Sequence, residues 1–423
     1  MSSGWTNRFR YATIGCTVHF CRQPNRISKG MRSMNHATAE GIASPAPAEV
    51  PPTTSIIAHF SSLPDPRIEK KTKHNLEDII VITICAAVCG ADDWVAVENY
   101  GKGKHDWLKT FLKLPHGIPS HDTFGNVFSV INPNEFEKCF LNWIRSVFSV
   151  TKGQIVAVDG KTLRRSHDKS SNKSAIHMVS AWASENGITL GQVITDEKSN
   201  EITAIPALLD LLEIKGCIVT IDAMGCQKKI VEKIVVDKEA DYVLSLKGNQ
   251  GNLHNDVKLF FEMAMKDSFR DISFDSLVTV DGDHGRIETR RHYIVSNIDW
   301  LEEKQKWKNL KTIGMVISER DINGKVSIES RYFICSINED AKLFAKAVRE
   351  HWGIENKVHW CLDIAFREDE SRMRKGHSAG NFSVVRHIAL NLLRHEQTLK
   401  VGIKNKRLNA AWDSRYLLKV LGV

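Results

Sequence analysis

The sequence lacks the features that mark membrane-spanning proteins, secreted proteins and proteins with a structural zinc site. Its longest apolar run, at 79–91, is too short to cross a bilayer. The nine cysteines are odd in number and scattered, with no Cys-x-x-Cys pair, which argues against a disulfide framework and a structural zinc site. The apolar stretch at 11–20 is interrupted by Thr and His, which disfavours a signal peptide. These absences favour a cytoplasmic protein without a membrane partner.

Internal repeats are also missing, so the 423 residues predict two or three different domains. The net charge of +8 mildly favours an anionic partner such as nucleic acid. Residues 1–54 are predicted to be a disordered leader and linker, because they contain the stretch ASPAPAEVPP (43–52) and no acid before Glu40. We expect translation to begin at Met31 or Met34, after most of this acid-free leader.

Residues 55–150 predict a small helical domain. Asn75 is a candidate cap for one helix, and Pro119-Ser120 and Pro133-Asn134 start two more. Apolar residues follow each start at helical spacing, and no strand-like alternation intrudes.

Residues 151–370 predict an α/β core. Strands at 155–159, 176–184 and 188–195 precede a helix at 202–212, a strand at 217–221, a helix at 227–237 and a strand at 242–246. Three consecutive strands followed by alternating helices and strands indicate a mixed sheet. Residues 249–338 break this rhythm and predict a β-rich insertion with a turn at Asn323-Gly324. A long helix at 340–363 and a basic helical segment at 371–423 complete the chain.

Three acids form a candidate metal site. Asp159 and Asp222 end two apolar strands, VAVD and VTID, and ligands of open α/β sheets bind at such strand ends. Glu355 lies on the long helix, where His351 and His359 share its face at i, i+4 and i+8 spacing. Hard oxygen ligands suit two Mg²⁺ ions, with Mn²⁺ as a substitute, and such a pair promotes phosphoryl transfer.

Other interpretations of these residues stay open. The His-x3-Glu-x3-His face of 351–359 is compatible with zinc, although it lacks the His-Glu-x-x-His spacing of zinc proteases. The two histidines are equally compatible with an ordinary polar face. Asp363, and more weakly Glu368, compete with Glu355 for the third acidic position.

Basic residues near these acids are candidate DNA contacts. Segment 371–407 alone holds nine Lys or Arg against one acid, Glu396. Each phosphate that such a residue neutralises adds salt-dependent affinity. The candidates are Lys161, Arg164, Arg165, Lys247, Arg286, His351, His359, Arg372, Arg374 and Lys375, and Arg290 and Arg291 lie close by in the insertion.

Seven long stretches carry a resemblance to a known family: GIPSHDTFGNVF (117–128), VAVDGKTLRRS (156–166), ITDEKSNEITAIPALL (194–209), VTIDAMGCQ (219–227), DYVLSLKGNQ (241–250), DGDHGRIETRR (281–291) and REHWGIENKVHWCLDIAFREDESR (349–372). They resemble bacterial insertion-sequence transposases of the H-repeat-associated (Rhs-linked) group, a branch of the DDE transposases. The resemblance spans roughly 56–395.

The resemblance implies a ribonuclease-H-like core with a β-rich insertion before the last acid. By position it makes Asp159, Asp222 and Glu355 the catalytic acids, and it makes 55–150 a domain that binds transposon ends. The implied partners are double-stranded DNA, both inverted-repeat ends and target, and a second copy of the chain on that DNA. Localisation would be bacterial cytoplasm, at the nucleoid when DNA is bound. Where the superfamily has Arg and Tyr before its Glu, this chain has His351 and Val348.

The function expected from these features is DNA cleavage and strand transfer at insertion-sequence ends. One alternative is a transposase-derived DNA-binding protein without catalysis, although decay usually truncates the chain or changes an acid. Another is a metal-dependent nuclease that cuts without joining. Joining of a cut end to target DNA separates the first function from the last.

Overall fold

A computed structural model describes residues 56–68, 72–167, 174–195, 201–283 and 285–422. The predicted leader and linker, and the predicted start at Met31 or Met34, lie outside the described residues. None of the described helices is both long and apolar enough to cross a membrane.

The first described segment is helical, as the sequence predicts. Its helices are α1 (Ile56–Phe60), α2 (Leu76–Val88), α3 (Trp94–Gly103), α4 (His105–Leu108), α5 (His121–Val130) and α6 (Pro133–Val147). Ser120 caps α5 by accepting a hydrogen bond from the Thr123 amide, and Asn132 caps α6. Asn75 occupies the predicted N-cap position of α2, but its side chain donates to the Asp78 carboxylate and makes no capping hydrogen bond.

A mixed sheet forms the centre of the molecule and confirms the α/β prediction. Its first strands are β1 (Ile155–Thr162), β2 (His177–Ala183), β3 (Ile188–Thr195), β4 (Ile218–Ile221) and β5 (Asp241–Leu246). Strands β1 to β3 form an antiparallel meander, and β4 and β5 run parallel to β1. Helices α7 (Glu201–Leu211) and α8 (Lys228–Glu232), the latter continued by a π-helical turn at Lys233–Asp237, connect the parallel strands.

The insertion extends this sheet. It opens with a helix that the sequence analysis missed, α9 (Gly251–Lys266), followed by β6 (Asp275–Asp283), β7 (Arg286–Val295), β8 (Thr312–Ile322) and β9 (Lys325–Cys335). Strand β9 pairs antiparallel with β5, giving nine strands in the order β3-β2-β1-β4-β5-β9-β8-β7-β6. We call β6–β9 the β arm. Asn323 and Gly324, both with positive φ, form the predicted turn.

The predicted long helix is present with a π-helical turn in its middle. It consists of α10 (Ala341–Gly353), the π turn Ile354–His359 and α11 (Trp360–Phe366), and it ends at Arg367 in the left-handed region. Asp340 caps its start through the Leu343 amide. The helices α12 (Ser378–His395), α13 (Ile403–Trp412) and α14 (Ser414–Leu421) follow.

Helix α12 lies inside the molecule and packs on α2, α5, α6 and β3. It is buried from Ser378 to Leu393, so the first helices, the sheet and the last helices share one apolar core. The prediction that the basic side chains of 371–407 contribute DNA-phosphate contacts is therefore wrong for three of them. Arg386, Lys406 and Arg407 are buried, and Arg407 donates to the Ala87 carbonyl and pairs with Asp92.

Candidate active site

Two of the predicted acids lie on neighbouring parallel strands. Val158 of β1 pairs with Ile221 of β4, so Asp159 and Asp222 come next at the same level of the sheet. Asp159 lies within β1, which continues to Thr162, whereas Asp222 begins the turn after β4. The Asp222 carboxylate accepts hydrogen bonds from the backbone amides of Met224 and Gly225, at 3.0 and 3.3 Å. The register therefore brings both carboxylates to one edge of the core.

Glu355 lies above that edge on the π-helical turn. The His351 ring nitrogen Nδ1 is 3.1 Å from the Thr220 hydroxyl of β4, and the His359 Nδ1 is 3.4 Å from the Asp159 carboxylate of β1. The predicted face of 351, 355 and 359 thus contacts both acid-bearing strands, with Glu355 between the two histidines. π-Helical turns inside α-helices are frequent at functional sites.

The carboxylates are close enough to repel one another. Burial raises the pKa of Asp159 to about 7, and the charges of Glu355, Glu201 and Asp222 add to the rise. Burial and the charge of Asp222 also raise the pKa of Glu355, and Arg331 opposes this shift. Within the described ranges, the ion-pair contacts of Asp159, Asp222 and Glu355 include only that of Asp159 with His359.

The donor set matches a hard divalent cation in kind. Three carboxylates with mutual repulsion, among them the half-buried Asp159, carry negative charge that a cation would neutralise. The three side chains do not lie close enough together to bind one metal ion in this structure. Among the described residues, no group of three or more His, Cys, Asp or Glu is placed to hold one. The zinc interpretation of 351–359 gains no support for the same reason.

Both histidines of the site are neutral at pH 7. Burial lowers the pKa of His351 to about 4 and that of His359 to about 3. The 3.4 Å contact between the His359 ring and the Asp159 carboxylate is therefore a polar contact of a neutral imidazole. The other ring nitrogen of His359 is buried without a partner in the described structure. Each ring therefore contacts one of the two acid-bearing strands from the helix side.

The competitors of Glu355 for the third acidic position both pair with Lys161. The Lys161 ammonium lies 2.5 Å from the Asp363 carboxylate and 2.8 Å from that of Glu368, which is fully buried and also 3.6 Å from Arg386. Burial alone would raise the pKa of Glu368, but Lys161 and Arg386 outweigh it and hold the pKa at about 2. Asp363 and Glu368 thus form an ion-pair network behind Asp159 with Lys161, one of the predicted DNA contacts.

The remaining predicted contacts fall into three places. Lys247 lines the cavity of about 220 Å³ that holds Asp222 and Glu355, and Arg286 lines a neighbouring cavity under the β arm. The others lie together on a different surface, because the Arg374 guanidinium donates to the backbone carbonyl of Arg165. Around that contact are Arg164, which pairs with Asp369, and a cleft of about 540 Å³ lined by Arg372, Arg374 and Lys375.

Sequence analysis missed a pair of residues on the opposite side of β1. The Glu201 carboxylate and the His177 ring are 2.9 Å apart, and His177 also contacts the Thr162 hydroxyl. A Cβ atom at Gly160 would lie 2.2 Å from the Glu201 oxygen, so only glycine leaves room for this pair beside Asp159. Glu201 lies in the stretch 194–209, which resembles the transposase family, and this resemblance is the sequence feature that could have indicated a role for it.

Comparison with known proteins identifies the family of the chain. The family described as "Transposase DDE domain" matches residues 151–392, from just before β1 into α12, and "DDE_Tnp_1-associated" matches 57–144, the first helices. The protein "H repeat-associated putative transposase YhhI" of Escherichia coli K12 is 42% identical over 86% of this chain and 97% of its own length. The chain belongs to the H-repeat-associated DDE transposases.

Other relatives differ in how their names describe activity. "Putative transposase YncI" of Escherichia coli O157:H7 is 46% identical over 87% of this chain and 94% of its own length. "Inactive transposase YbfQ" of Escherichia coli K12 is 40% identical but matches only 18% of this chain. A piggyBac transposase synaptic complex with hairpin DNA aligns over 88% of this chain and 78% of its own, with 13% identity and a TM-score of 0.40, which is too distant to carry an argument.

Proposed function

We propose that this DDE transposase cleaves DNA at insertion-sequence ends and joins the ends to target DNA, with Asp159, Asp222 and Glu355 as its catalytic acids. The observation that carries the proposal is the position of three carboxylates on β1, after β4 and on the one π-helical turn that both strands face. Family membership supplies the reaction class. The intact acids favour this function over that of a non-catalytic, transposase-derived DNA-binding protein.

The core is proposed to be ribonuclease-H-like. Support comes from the strand order β3-β2-β1-β4-β5, in which an antiparallel meander is followed by two parallel strands. The first acid lies on β1 and the second directly after β4, so the central pair of strands carries both.

Asp159, Asp222 and Glu355 would hold two Mg²⁺ ions, or Mn²⁺ in their place. When bound, such ions activate the attacking oxygen and stabilise the charge that develops on the leaving oxygen. The chain's own contribution is positioning. His359 holds the Asp159 carboxylate, Thr220 holds His351, and the network around Lys161 fixes the strand behind them.

The DNA contacts divide by exposure. We assign Lys247 and Arg286, which line the two cavities, to the DNA strand at the acids. We assign the second group to flanking duplex beside the helical segment at 56–147: Arg164, Arg165, Arg372, Arg374 and Lys375. Lys161, His351 and His359 are instead assigned to positioning, because protein partners engage them. A homodimer on DNA, located at the bacterial nucleoid, is part of the same proposal.

The test is incubation of the full chain with the flanking inverted repeats of its own locus and a target plasmid, with and without Mg²⁺. We expect Mg²⁺-dependent cleavage at the ends and joined products. Asp159→Asn and Asp222→Asn should abolish both reactions while end binding persists, since each keeps its shape and removes one charge.

Three other outcomes would contradict the proposal in different ways. End binding without cleavage by the wild-type chain indicates the non-catalytic protein. Cleavage without joined products indicates the nuclease. Activity that survives either substitution removes that acid from the site.

A further inference from the structure

A second cavity adjoins the one that holds Asp222 and Glu355. It measures about 230 Å³ and lies between helix α10 and the β arm. We call it the arginine cavity, because its lining includes Arg286, Arg290, Arg320, Arg331 and Arg349. Arg331, Val348 and Trp352 line both cavities, so the two share a wall. A ligand longer than one phosphate group would pass from the acids directly to the arginines.

The arginines are held around a buried carboxylate. Glu288 is 5% exposed, and its oxygens lie 2.7 Å from an Arg290 nitrogen and 3.3 Å from an Arg320 nitrogen. Two further acids approach the group, with Asp281 on Arg290 and Glu329 on Arg331. Five guanidinium groups against three carboxylates leave net positive charge, and the ion pairs fix part of it in place before any ligand arrives.

Arg331 connects the two cavities electrostatically. Its guanidinium carbon lies 5.2 Å from the centroid of the Trp352 ring. From there its charge lowers the pKa of Glu355 against the effect of burial. An anionic chain entering from the acids would meet Arg331 first, and Arg320 and Arg349 beyond it.

We propose that the arginine cavity binds the phosphate backbone of the DNA strand that carries the reacting phosphate. The inference rests on the proposed function, because it takes the reacting phosphate to lie at the three acids. Arg349 and Glu355 are six residues apart on one helix. That spacing is roughly 9 Å along the axis, and DNA advances about 3.4 Å per nucleotide, so the bound phosphates lie within about three nucleotides of the reacting one.

The arm supplies a matched control on its opposite face. Arg290 and Arg291 are neighbours on β7 and point to opposite sides of the sheet. Arg291 pairs with Glu319 at 3.0 Å on a face that also carries the exposed apolar residues Val278, Val280 and Ile328. Loss of Arg291 changes the net charge of the arm without touching the cavity.

The experiment compares Arg320→Gln/Arg349→Gln with Arg291→Gln in the full chain. The side chains of Arg320 and Arg349 are 45% and 59% exposed, and Arg290 still pairs with Glu288 in the double variant, so folding should persist. We expect the double variant to bind end DNA about tenfold more weakly and to flatten the slope of log affinity against log salt by about one to two. The Arg291 control should change affinity less than about twofold.

Methylphosphonate scanning locates the contact. Neutralising single phosphates within about three nucleotides of the cleaved bond should weaken wild-type binding and have no further effect on the double variant. Binding of the double variant equal to that of the control, or equal methylphosphonate losses in both proteins, overturns the inference while wild-type cleavage leaves the proposed function standing. A wild-type chain that neither binds nor cleaves end DNA overturns both.

Discussion

The two ends of the sheet are built in opposite ways. At the β3 edge, the backbone amide of Gln192 donates to the buried Glu137 carboxylate. The Asn391 side chain accepts from the backbone amide of Thr189 and donates to its carbonyl. At the β6 edge, Val278 and Val280 are more than half exposed. The first end is covered by helices that bond to its edge, whereas the second leaves apolar side chains exposed. We call the β1–β5 side of the sheet the fixed half and compare it with the β arm.

Charge follows the same division. Beside Asp159, the ion pairs of Glu368 with Lys161 and Arg386 are buried between α11 and α12. On the outer face of the arm, the ion pair of Arg291 with Glu319 is more than a third exposed on both sides, whereas the pair of Arg290 with Glu288 on the cavity face is largely buried. Buried pairs are costly to break, while exposed pairs contribute little. The fixed half should therefore respond strongly to single substitutions and the outer face of the arm weakly.

The sharpest test within the fixed half separates the catalytic acid from its neighbour on the same helix. Glu355→Gln should lower Mg²⁺-dependent cleavage by about a thousandfold, since one charge-stabilising group is lost at the reacting phosphate. Asp363→Asn should keep cleavage within about tenfold, because its partner Lys161 retains Glu368. Side-by-side single-turnover cleavage assays measure both, and the reverse ranking would transfer the third position to Asp363.

Breaking the buried network should have the largest effect on stability. Glu368→Gln leaves Lys161 and Arg386 with less compensating charge and should cost about 3–5 kcal/mol at pH 7. Because the pKa of Glu368 is lowered to about 2, its contribution is complete above the unfolded value near 4.5 and is lost as pH falls towards 2. Urea unfolding at pH 7 and pH 3 should give a smaller difference at pH 3, and a constant difference would contradict this origin.

One substitution made in both halves tests the comparison directly. Ile155→Ala on β1, where the residue is 0% exposed, should destabilise by about 2–5 kcal/mol. Ile328→Ala on β9, where the residue is 68% exposed, should change stability by less than about 0.5 kcal/mol. Chemical denaturation measures the loss in free energy of unfolding for each variant, and equal losses would contradict the difference between the two halves.

The β3 edge carries a smaller, pH-dependent effect. Burial raises the pKa of Glu137 to about 8, so the wild-type protein loses stability from this group as pH rises from about 4.5 to 8. Glu137→Gln keeps an acceptor for the backbone amide of Gln192 and removes the carboxylate charge. The variant should therefore gain about 1–2 kcal/mol relative to wild type between pH 5 and pH 8, as followed by thermal unfolding. A difference that does not vary with pH would exclude ionisation of Glu137 as its source.

Much of the fold was predictable because its signals are local. Apolar runs gave β1, β4 and β5, and the Asn323-Gly324 turn gave the β8–β9 hairpin. Helix α9 was missed although Leu253, Val257 and Phe261 recur at helical spacing and are buried. The continuity of the arm with the core was not predictable, because the β5–β9 pairing joins residues about ninety positions apart and depends on register.

The site divides in the same manner. Asp222 follows from a strand end and the face around Glu355 from helical spacing. The predicted strand end at Asp159 is wrong, because β1 continues to Thr162, but the apolar run before Asp159 still places it level with Asp222. Arg331 and Glu201 had no comparable local pattern, since β9 pairing places the first and the start of α7 places the second. Lys161 looked like a free base beside an acid, and only the tertiary structure reveals its two carboxylate partners.

Helix α10 packs on β1, β4 and β5 of the core and also on β6 and β7 of the arm. The strands of both halves are hydrogen-bonded into one sheet beneath it. The distance between the acids and the arginines is consequently set by strand pairing and by one helix that packs on both halves. If one DNA strand occupies both cavities as proposed, a mismatch between this spacing and a straight duplex would be taken up by distortion of the DNA.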